Sequence, residues 1–354
     1  MRDFDYGCLG TRTWDNEMLS YVAKIHEYKG KQELYLRQKP VELERLVQIA
    51  KIQSTEASNR IEGIVTTSSR LKQLVADKAT PRNRDESEIL GYRNVLNLIH
   101  ENYQVIPVRP SYILQLHRDL LKYTSVSYGG RFKTAPNEID AWLPDGRKMV
   151  LFRPLEPYAT PDAIASICEH YNYTLAREEI DPLILIPCFI LDFLCIHPFD
   201  DGNGRMSRLL TLLLLYKSGY IVGQYISIEK AIADTKDDYY AALAQADARW
   251  LERQNDPKPF IKYMLGIILS CYRDFESRVS LTEKAGVKST AYDIVKTYVL
   301  DQVGTFTKQD ALMSCPSLGS SSVESSLKKL VADGTLTRLG AGRKTHYVRS
   351  DACE

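Results

Sequence analysis

Long uncharged apolar runs, paired cysteines and an excess of either charge are all missing from these 354 residues. Each absence removes a class of protein. The formal charge is +1, from 46 Lys plus Arg against 45 Asp plus Glu, so global attraction to nucleic acid or an acidic membrane is excluded, although a local patch is not. The seven cysteines, Cys8, Cys168, Cys188, Cys195, Cys271, Cys315 and Cys353, are odd in number, and no pair has the spacing of a metal knuckle. With Cys188 and Cys195 inside an apolar run, buried free thiols in a reducing compartment are expected rather than a disulfide framework. The stretch that most invites a membrane reading, PLILIPCFILDFLCI from Pro182 to Ile196, is short for a span and carries Asp192, which predicts a buried core helix. The opening MRDFDYGCLGTRTWDNEM is acidic from its third residue and lacks an apolar stretch, so it does not read as a signal peptide. A cytoplasmic protein with no membrane partner is expected. Repeats and low-complexity tracts are absent as well.

What is present suits a large helical core. Hydrophobic residues make up 44% of the chain, with 22 tyrosines and 9 phenylalanines, enough for two or three domains. Helices are expected from Trp14 to Gly30 and from Pro40 to about Glu62-Gly63, the second with Glu42 and Glu44 near its positive end. Residues 66–78 add a turn or two, followed by helices over Asn83–Asn102 and Ser111–Tyr123. The texture then changes. Gly129 and Gly130 lead into RFKTAPNEIDAWLPDGRKMVLFRP, where Asp145-Gly146 marks a reversal between two extended pieces, predicting a small hairpin between helices. Helices resume over Pro161–Ala176, from Pro182 to about His197, and onward to Gly219, with further long ones over Ile228–Arg249 and Pro259–Glu276. The end differs: helices over Ala291–Gln302, Thr307–Met313 and Ser320–Asp333 precede strands Thr335–Leu339 and Thr345–Arg349 around Gly340-Ala341-Gly342. Three helices and a hairpin describe a winged helix-turn-helix. The fold class is thus mainly α, divided as 1–111 (N-terminal helices), 112–253 (core), 254–283 (connecting helix) and 284–350 (winged helix).

The densest chemical signal is HPFDDGNGRMSR, His197 to Arg208, at the junction of two apolar helices. Gly202 and Gly204 permit backbone shapes and close approaches that a β-carbon resists. The unpaired amides at the start of the second helix form an anion socket. Arg205 and Arg208, three apart, flank it. Asp201 places a carboxylate beside the bound phosphates, a conflict that a hard cation resolves, and magnesium suits triphosphate chemistry better than zinc. His197 can take a proton near neutral pH. Taken singly, each has a bland reading: a helix cap for His197 or Asp201, a tight loop for the glycines, surface ion pairs for the arginines. Phe199 serves as a loop anchor under either reading. The complete string is what points to phosphate chemistry.

That string resembles the signature of the Fic, or Fido, family: a histidine, an aromatic two later, an acidic residue, Gly-Asn-Gly-Arg, and a second arginine three further. Every fixed position is met. The resemblance implies a Fido core over about 112–253, with a β-hairpin flap, that binds ATP and Mg²⁺ and transfers AMP to a hydroxyl of a protein substrate. It assigns His197 as the base that deprotonates a serine, threonine or tyrosine. Asp201 holds Mg²⁺, Gly202, Asn203, Gly204 and Arg205 orient the α- and β-phosphates, and Arg208 reaches the γ-phosphate. The flap, about 131–150, would hold the target by strand-like pairing, with Lys133, Thr134 and Ile139 as contact points. Tyr239 and Tyr240 fall where similar proteins line the nucleotide site. Facing about 100° apart on a helix, at most one should point at it directly.

Ser58-Asn59-Arg60-Ile61-Glu62-Gly63 resembles the family's inhibitory motif, here in the class with an N-terminal inhibitory helix. A bidentate pair between Glu62 and Arg208 would occupy the cation meant for the γ-phosphate, with Ser58 as the motif's first residue. Self-modification is implied once that brake is released, and a homodimer is a further family-based expectation. The tail offers Lys328, Lys329, Arg338, Arg343, Lys344 and Arg349 to phosphates and Ser321, Ser322 and Ser325 to a groove, leaving DNA, protein or a second copy open as its partner. Two other functions fit these residues: a different Fic-type transfer or removal of AMP, and a nucleotide-sensing DNA-binding regulator.

Overall fold

The computed structural model describes residues 4–38, 40–142, 148–285, 290–300, 305–315, 318–342 and 345–350. In chain order come α1 (Asn16–Gln38), α2 (Pro40–Ile61), α3 (Ser68–Val75), α4 (Arg84–Asn102), α5 (Pro110–Leu120), β1 (Ile139–Trp142) and β2 (Lys148–Phe152). Next are α6 (Thr160–Arg177), α7 (Pro182–Ile196), α8 (Asn203–Lys217), α9 (Ile228–Asp234), α10 (Lys236–Asp247) and α11 (Lys258–Ala285). The chain ends with α12 (Ala291–Leu300), α13 (Lys308–Ser314), α14 (Ser320–Ala332), β3 (Leu336–Leu339) and β4 (His346–Arg349). The architecture is mainly helical, with a small C-terminal hairpin consistent with a winged-helix arrangement.

Helix α7 is the axis of the core. Asp181 accepts the Leu183 amide at 2.8 Å, Pro182 presets the first turn, and every residue from Leu183 to Ile196 is buried. Its one carboxylate, Asp192, is satisfied in place by the Tyr6 hydroxyl at 3.0 Å and the Trp250 indole at 2.7 Å. That pairing explains how an acidic residue sits in an otherwise apolar helix. Among the described residues, no helix is long and apolar enough to cross a membrane. Helix α8 packs back against α7, α4 and α5 cover the junction between them, and α2 lies across the same end. Helices α4 and α5 meet backbone to backbone: a Cβ at Gly91 would fall 1.9 Å from the Leu120 carbonyl oxygen, so only glycine fits there.

Helix α2 ends on a left-handed Gly63 (φ 79°), with the Ile64 amide reaching back to the Asn59 carbonyl at 3.0 Å. Glu62 is therefore fixed at the C-terminal end of α2. The hairpin β1–β2 is antiparallel, Ile139 facing Phe152, with an irregularity after Ile139. Its reversal at Asp145-Gly146 lies outside the described residues.

Two expectations change. Helix α1 continues past Gly30 to Gln38. The single helix expected over Ile228–Arg249 is broken at Thr235 (φ −121°, ψ 38°), whose hydroxyl bonds the Ala231 carbonyl at 2.9 Å and the Tyr263 hydroxyl at 2.8 Å. A short polar side chain competing for backbone partners is a known interruption of helices. Cys168, Cys188, Cys195, Cys271 and Cys315 are buried and Cys8 is exposed, with no disulfide among the described residues, while Cys353 lies outside them.

The C-terminal unit has its own apolar core, built on Val295, Val299, Val323, Leu327, Leu330 and Leu336. It stands against the outer face of α2, where Arg45 donates to the Leu318 carbonyl at 2.8 Å. Of its basic residues, Lys328 is held by Glu324 at 3.0 Å, and Lys308 reaches the same carboxylate. Arg343 and Lys344 lie outside the described residues.

Candidate active site

The α7–α8 junction opens onto a cavity of about 580 Å³, within the range of small-molecule and cofactor sites. Its wall includes Glu62, His197, Gly204, Arg208, Tyr239 and Tyr240. The hairpin contributes Ile139 and Phe152, so the flap edges the same cavity.

His197 terminates α7 in the left-handed region (φ 51°, ψ 63°), an uncommon conformation for a residue with a β-carbon. Its Nδ1 lies 3.3 Å from the Leu194 carbonyl. A carbonyl only accepts, so the proton belongs on Nδ1 and the Nε2 lone pair is free. Burial pushes the imidazole down to about 4, so it is neutral and able to accept a proton at neutral pH.

Arg208, only 3% exposed, is the buried cation. Its Nε donates to the Ser58 hydroxyl at 2.8 Å, and its Nη2 donates to the Ser58 carbonyl at 2.9 Å and to Glu62 Oε1 at 2.8 Å. The pair with Glu62 is thus made through one carboxylate oxygen, not two as expected. The other contacts come from Ser58, one turn earlier on the same helix. Glu62 also lies over the loop itself: a Cβ at Gly204 would sit 2.2 Å from Glu62 Oε1. The carboxylate therefore occupies the place where an anion would meet the start of α8.

The other side chains of the string turn away from the cavity. Asn203 binds Phe199 twice, accepting its amide at 3.0 Å and donating to its carbonyl at 2.7 Å. Arg205, 1% exposed, donates to Glu88 at 2.6 Å and to Asp201 at 3.3 Å. Neither side chain is on the cavity wall. Lys133 is 2% exposed and also braces the loop, its ammonium donating to the Ile196 carbonyl at 3.0 Å and to Asn137 at 2.9 Å. Burial lowers that ammonium to about 8. Asn137 completes the brace with a bond to the Phe199 carbonyl at 3.1 Å. Thr134 is exposed, and Ile139 is half-buried at the cavity. Tyr239 is buried against Phe260 and Tyr263, while its neighbour Tyr240 is 42% exposed and is the freer of the two for a planar ligand.

Asp201 holds the Gly202 amide through Oδ1 at 2.6 Å, and Arg84 lies 3.7 Å from Oδ2. Among the described residues there is no cluster of three or more acidic, histidine or cysteine side chains that could hold a metal by itself. One partly exposed carboxylate fits a magnesium ion that arrives with phosphates and completes its shell from them and from water. Two residues at the junction escaped the sequence reading. Glu88 carries the buried charge opposite Arg205, and His117 packs on the loop. For His117 a signal was available: it shares the buried face of α5 with Ile113, Leu116 and Leu120.

Known proteins resemble this chain in sequence and in fold. The Fic/DOC family pattern matches residues 107–215. The protein adenylyltransferase Fic of Drosophila grimshawi is 27% identical over 184 residues, 51% of this chain and 33% of that one. Protein adenylyltransferase fic-1 of Caenorhabditis elegans is 27% identical over 186 residues, 51% of this chain and 32% of that one. The chain thus spans about a third of the length of these relatives. A Fic family protein from Desulfovibrio desulfuricans G20 has the same fold over 97% of this chain and 98% of its own, with a TM-score of 0.62 at 20% identity. A Fic-domain signaling protein from Bacteroides thetaiotaomicron covers 71% of this chain and 95% of its own, with a TM-score of 0.59 at 24% identity.

Proposed function

We propose, from the Fic-family domain that residues 107–215 carry, that this protein transfers AMP from Mg-ATP to a serine, threonine or tyrosine hydroxyl of a protein. The carrying observation is the free Nε2 of His197 on the wall of a cofactor-sized cavity that also holds the buried cation Arg208. The target hydroxyl gives its proton to Nε2 as its oxygen bonds the α-phosphorus, and the bond to the departing pyrophosphate breaks. A base held to about 4 is weak, but the negative charge of an incoming triphosphate favours the imidazolium and raises that value during the reaction. Magnesium, when bound, neutralises phosphate charge. On this reading Asp201 holds it, and the first turn of α8, with Gly204 on the cavity wall, lines the phosphate seat. Asn203 and Arg205 serve this seat by fixing the loop's shape. Tyr240 offers a face for the base. The catalytic work falls to residues 112–253, and the flap presents the target beside the α-phosphate.

As it stands, the site is braked. Glu62 and Ser58 hold Arg208, and the Glu62 carboxylate repels a phosphate approaching Gly204. Removing one charge-assisted bond of about 1.5–3 kcal/mol corresponds to roughly 10–100-fold in nucleotide affinity. Glu62→Gly therefore raises transfer, including self-modification. The test is mass spectrometry of a cell lysate incubated with Mg-ATP and the Glu62→Gly protein. A gain of AMP on proteins supports the reading. A gain of phosphate or another nucleotide would replace AMP transfer with a different Fic-type transfer, and release of AMP from modified proteins would replace it with hydrolysis. Binding of ATP with no covalent product would favour a nucleotide-sensing regulator.

A further inference from the structure

We propose that His117 is a positioning residue that locks the Asp201 end of the phosphate loop to the root of the flap. Its ring is fully buried on α5 and meets three partners at once. Nδ1 accepts the Gly130 amide at 3.1 Å, Nε2 lies 3.0 Å from the Asp201 carbonyl, and the ring stacks on Phe199 with centroids 3.7 Å apart and planes 12° off parallel. The two hydrogen bonds demand one and the same tautomer. An amide can only donate, so Nδ1 holds the lone pair; a carbonyl can only accept, so Nε2 carries the proton. A neutral imidazole satisfies both without residue.

The backbone around the ring has been shaped to admit it. Gly130 is left-handed (φ 77°), and a Cβ there would fall 2.8 Å from Arg118 Cβ and 3.0 Å from the Leu114 carbonyl. Gly202 is left-handed too (φ 85°), with a Cβ position 3.3 Å from Leu120 and 3.5 Å from His117 Nε2. Helix α5 is therefore the wall against which both the flap root and the loop turn are set. The carbonyl that His117 holds belongs to Asp201, the residue that holds Mg²⁺ on the AMP-transfer reading, so the ring fixes where that side chain starts. Through Gly130 it also fixes where the flap leaves the core. Outer partners of this kind change metal affinity or activity by roughly 10–100-fold when lost. The functional consequence rests on the AMP-transfer reading, whereas the mechanical one does not.

The experiment compares His117→Phe, which keeps the ring and its stack but loses both hydrogen bonds, with His117→Gln, which restores a donor, both in the Glu62→Gly protein. Amide hydrogen exchange is read by mass spectrometry at residues 125–133 and 198–204. Calorimetry gives ATP affinity with and without Mg²⁺, and kcat and KM are measured for transfer. In the phenylalanine variant, exchange is expected to speed up roughly ten-fold at both segments and to stay unchanged in α6 and α11. The affinity gained on adding Mg²⁺ shrinks roughly ten-fold while metal-free affinity holds, and kcat falls more than KM rises. The glutamine variant, whose amide donates to the Asp201 carbonyl, recovers most of the effect at 198–204 and on the Mg²⁺ gain and leaves 125–133 loosened; no recovery at 198–204 would overturn the proposal. Unchanged exchange at the two segments, or equal loosening of the whole domain, would overturn the proposal and leave His117 a packing residue. Should His117→Phe not fold, His117→Asn keeps the bond to Gly130 alone. It must then loosen 198–204 and spare 125–133, and any other pattern overturns the proposal. If the parent transfers no AMP, the function fails, while exchange and calorimetry still decide the role of His117.

Discussion

The two faces of the loop from His197 to Arg208 do opposite work. On the front, His197, Gly204 and Arg208 line the cavity. On the back, Phe199, Asn203 and Arg205 are buried and bonded to the protein: Asn203 twice to Phe199, Arg205 to Glu88, Phe199 stacked on His117. The difference explains how a short loop rich in glycine can hold a defined shape. Glycine on the front allows close approach, and the back supplies the rigidity that glycine removes. On the AMP-transfer reading reacting atoms must be placed within a fraction of an ångström, so the hidden face would contribute to rate without touching a substrate.

The largest effect is expected from a change on the front. His197→Ala is expected to lower transfer of label from α-³²P-ATP by roughly 10²–10⁴ while ATP affinity by calorimetry holds. Normal transfer by that variant would remove the histidine from the mechanism. From the back, Glu88→Gln leaves the buried guanidinium of Arg205 with only the partly exposed Asp201 as anionic partner, at 3.3 Å. Loss of a buried partner costs about 3 kcal/mol, read as a lower urea midpoint. An unchanged midpoint would show that the ion pair fixes nothing.

The two histidines sharpen the contrast, since burial pushes both His117 and His197 down to about 4. In each case the unfolded chain, titrating near 6.5, takes up a proton that the folded state refuses. Their contribution to stability is complete above about pH 6.5 and is lost as the pH falls toward 4, by up to about 1.4 kcal/mol per pH unit per histidine. Adding Mg-ATP to the Glu62→Gly protein should raise the titration of His197 alone, because only the front ring faces phosphate. An NMR titration in which both move together would deny that the faces differ. The smallest effect is expected one layer behind the brake. The Ser54 hydroxyl donates to buried Glu229 at 2.7 Å, tying α2 to α9. Ser54→Ala should loosen that tie by about 1 kcal/mol and raise transfer a few-fold. A fall in transfer instead would show that the tie serves the fold and not the brake.

Much of this was legible in the residues. The α7–α8 junction followed from an apolar run meeting a glycine-rich polar string, and the end of α2 from Glu62-Gly63. What the string did not reveal is which way each side chain turns. Asn203 and Arg205 read as phosphate ligands from the glycine-rich string around them, yet a helix start sends neighbours to different sides. Lys133 read as a surface contact of the flap, whereas its stem is buried and its ammonium caps the end of α7. Glu62 was expected to bind Arg208 with both oxygens. Ser58 takes that share through its hydroxyl and its carbonyl, and a backbone contact leaves no trace in sequence. The break at Thr235 turns on a tertiary partner, Tyr263, twenty-eight residues away, which local propensity does not register.

A crystal structure of the Glu62→Gly protein with Mg-ATP addresses the central point, that one anion seat beside Arg208 is shared in turn by the brake and the nucleotide. The terminal phosphate is expected on the Arg208 guanidinium, with the α-phosphorus facing His197 Nε2. A nucleotide bound elsewhere, with Arg208 still held by Ser58 and the loop free of phosphate, would contradict it.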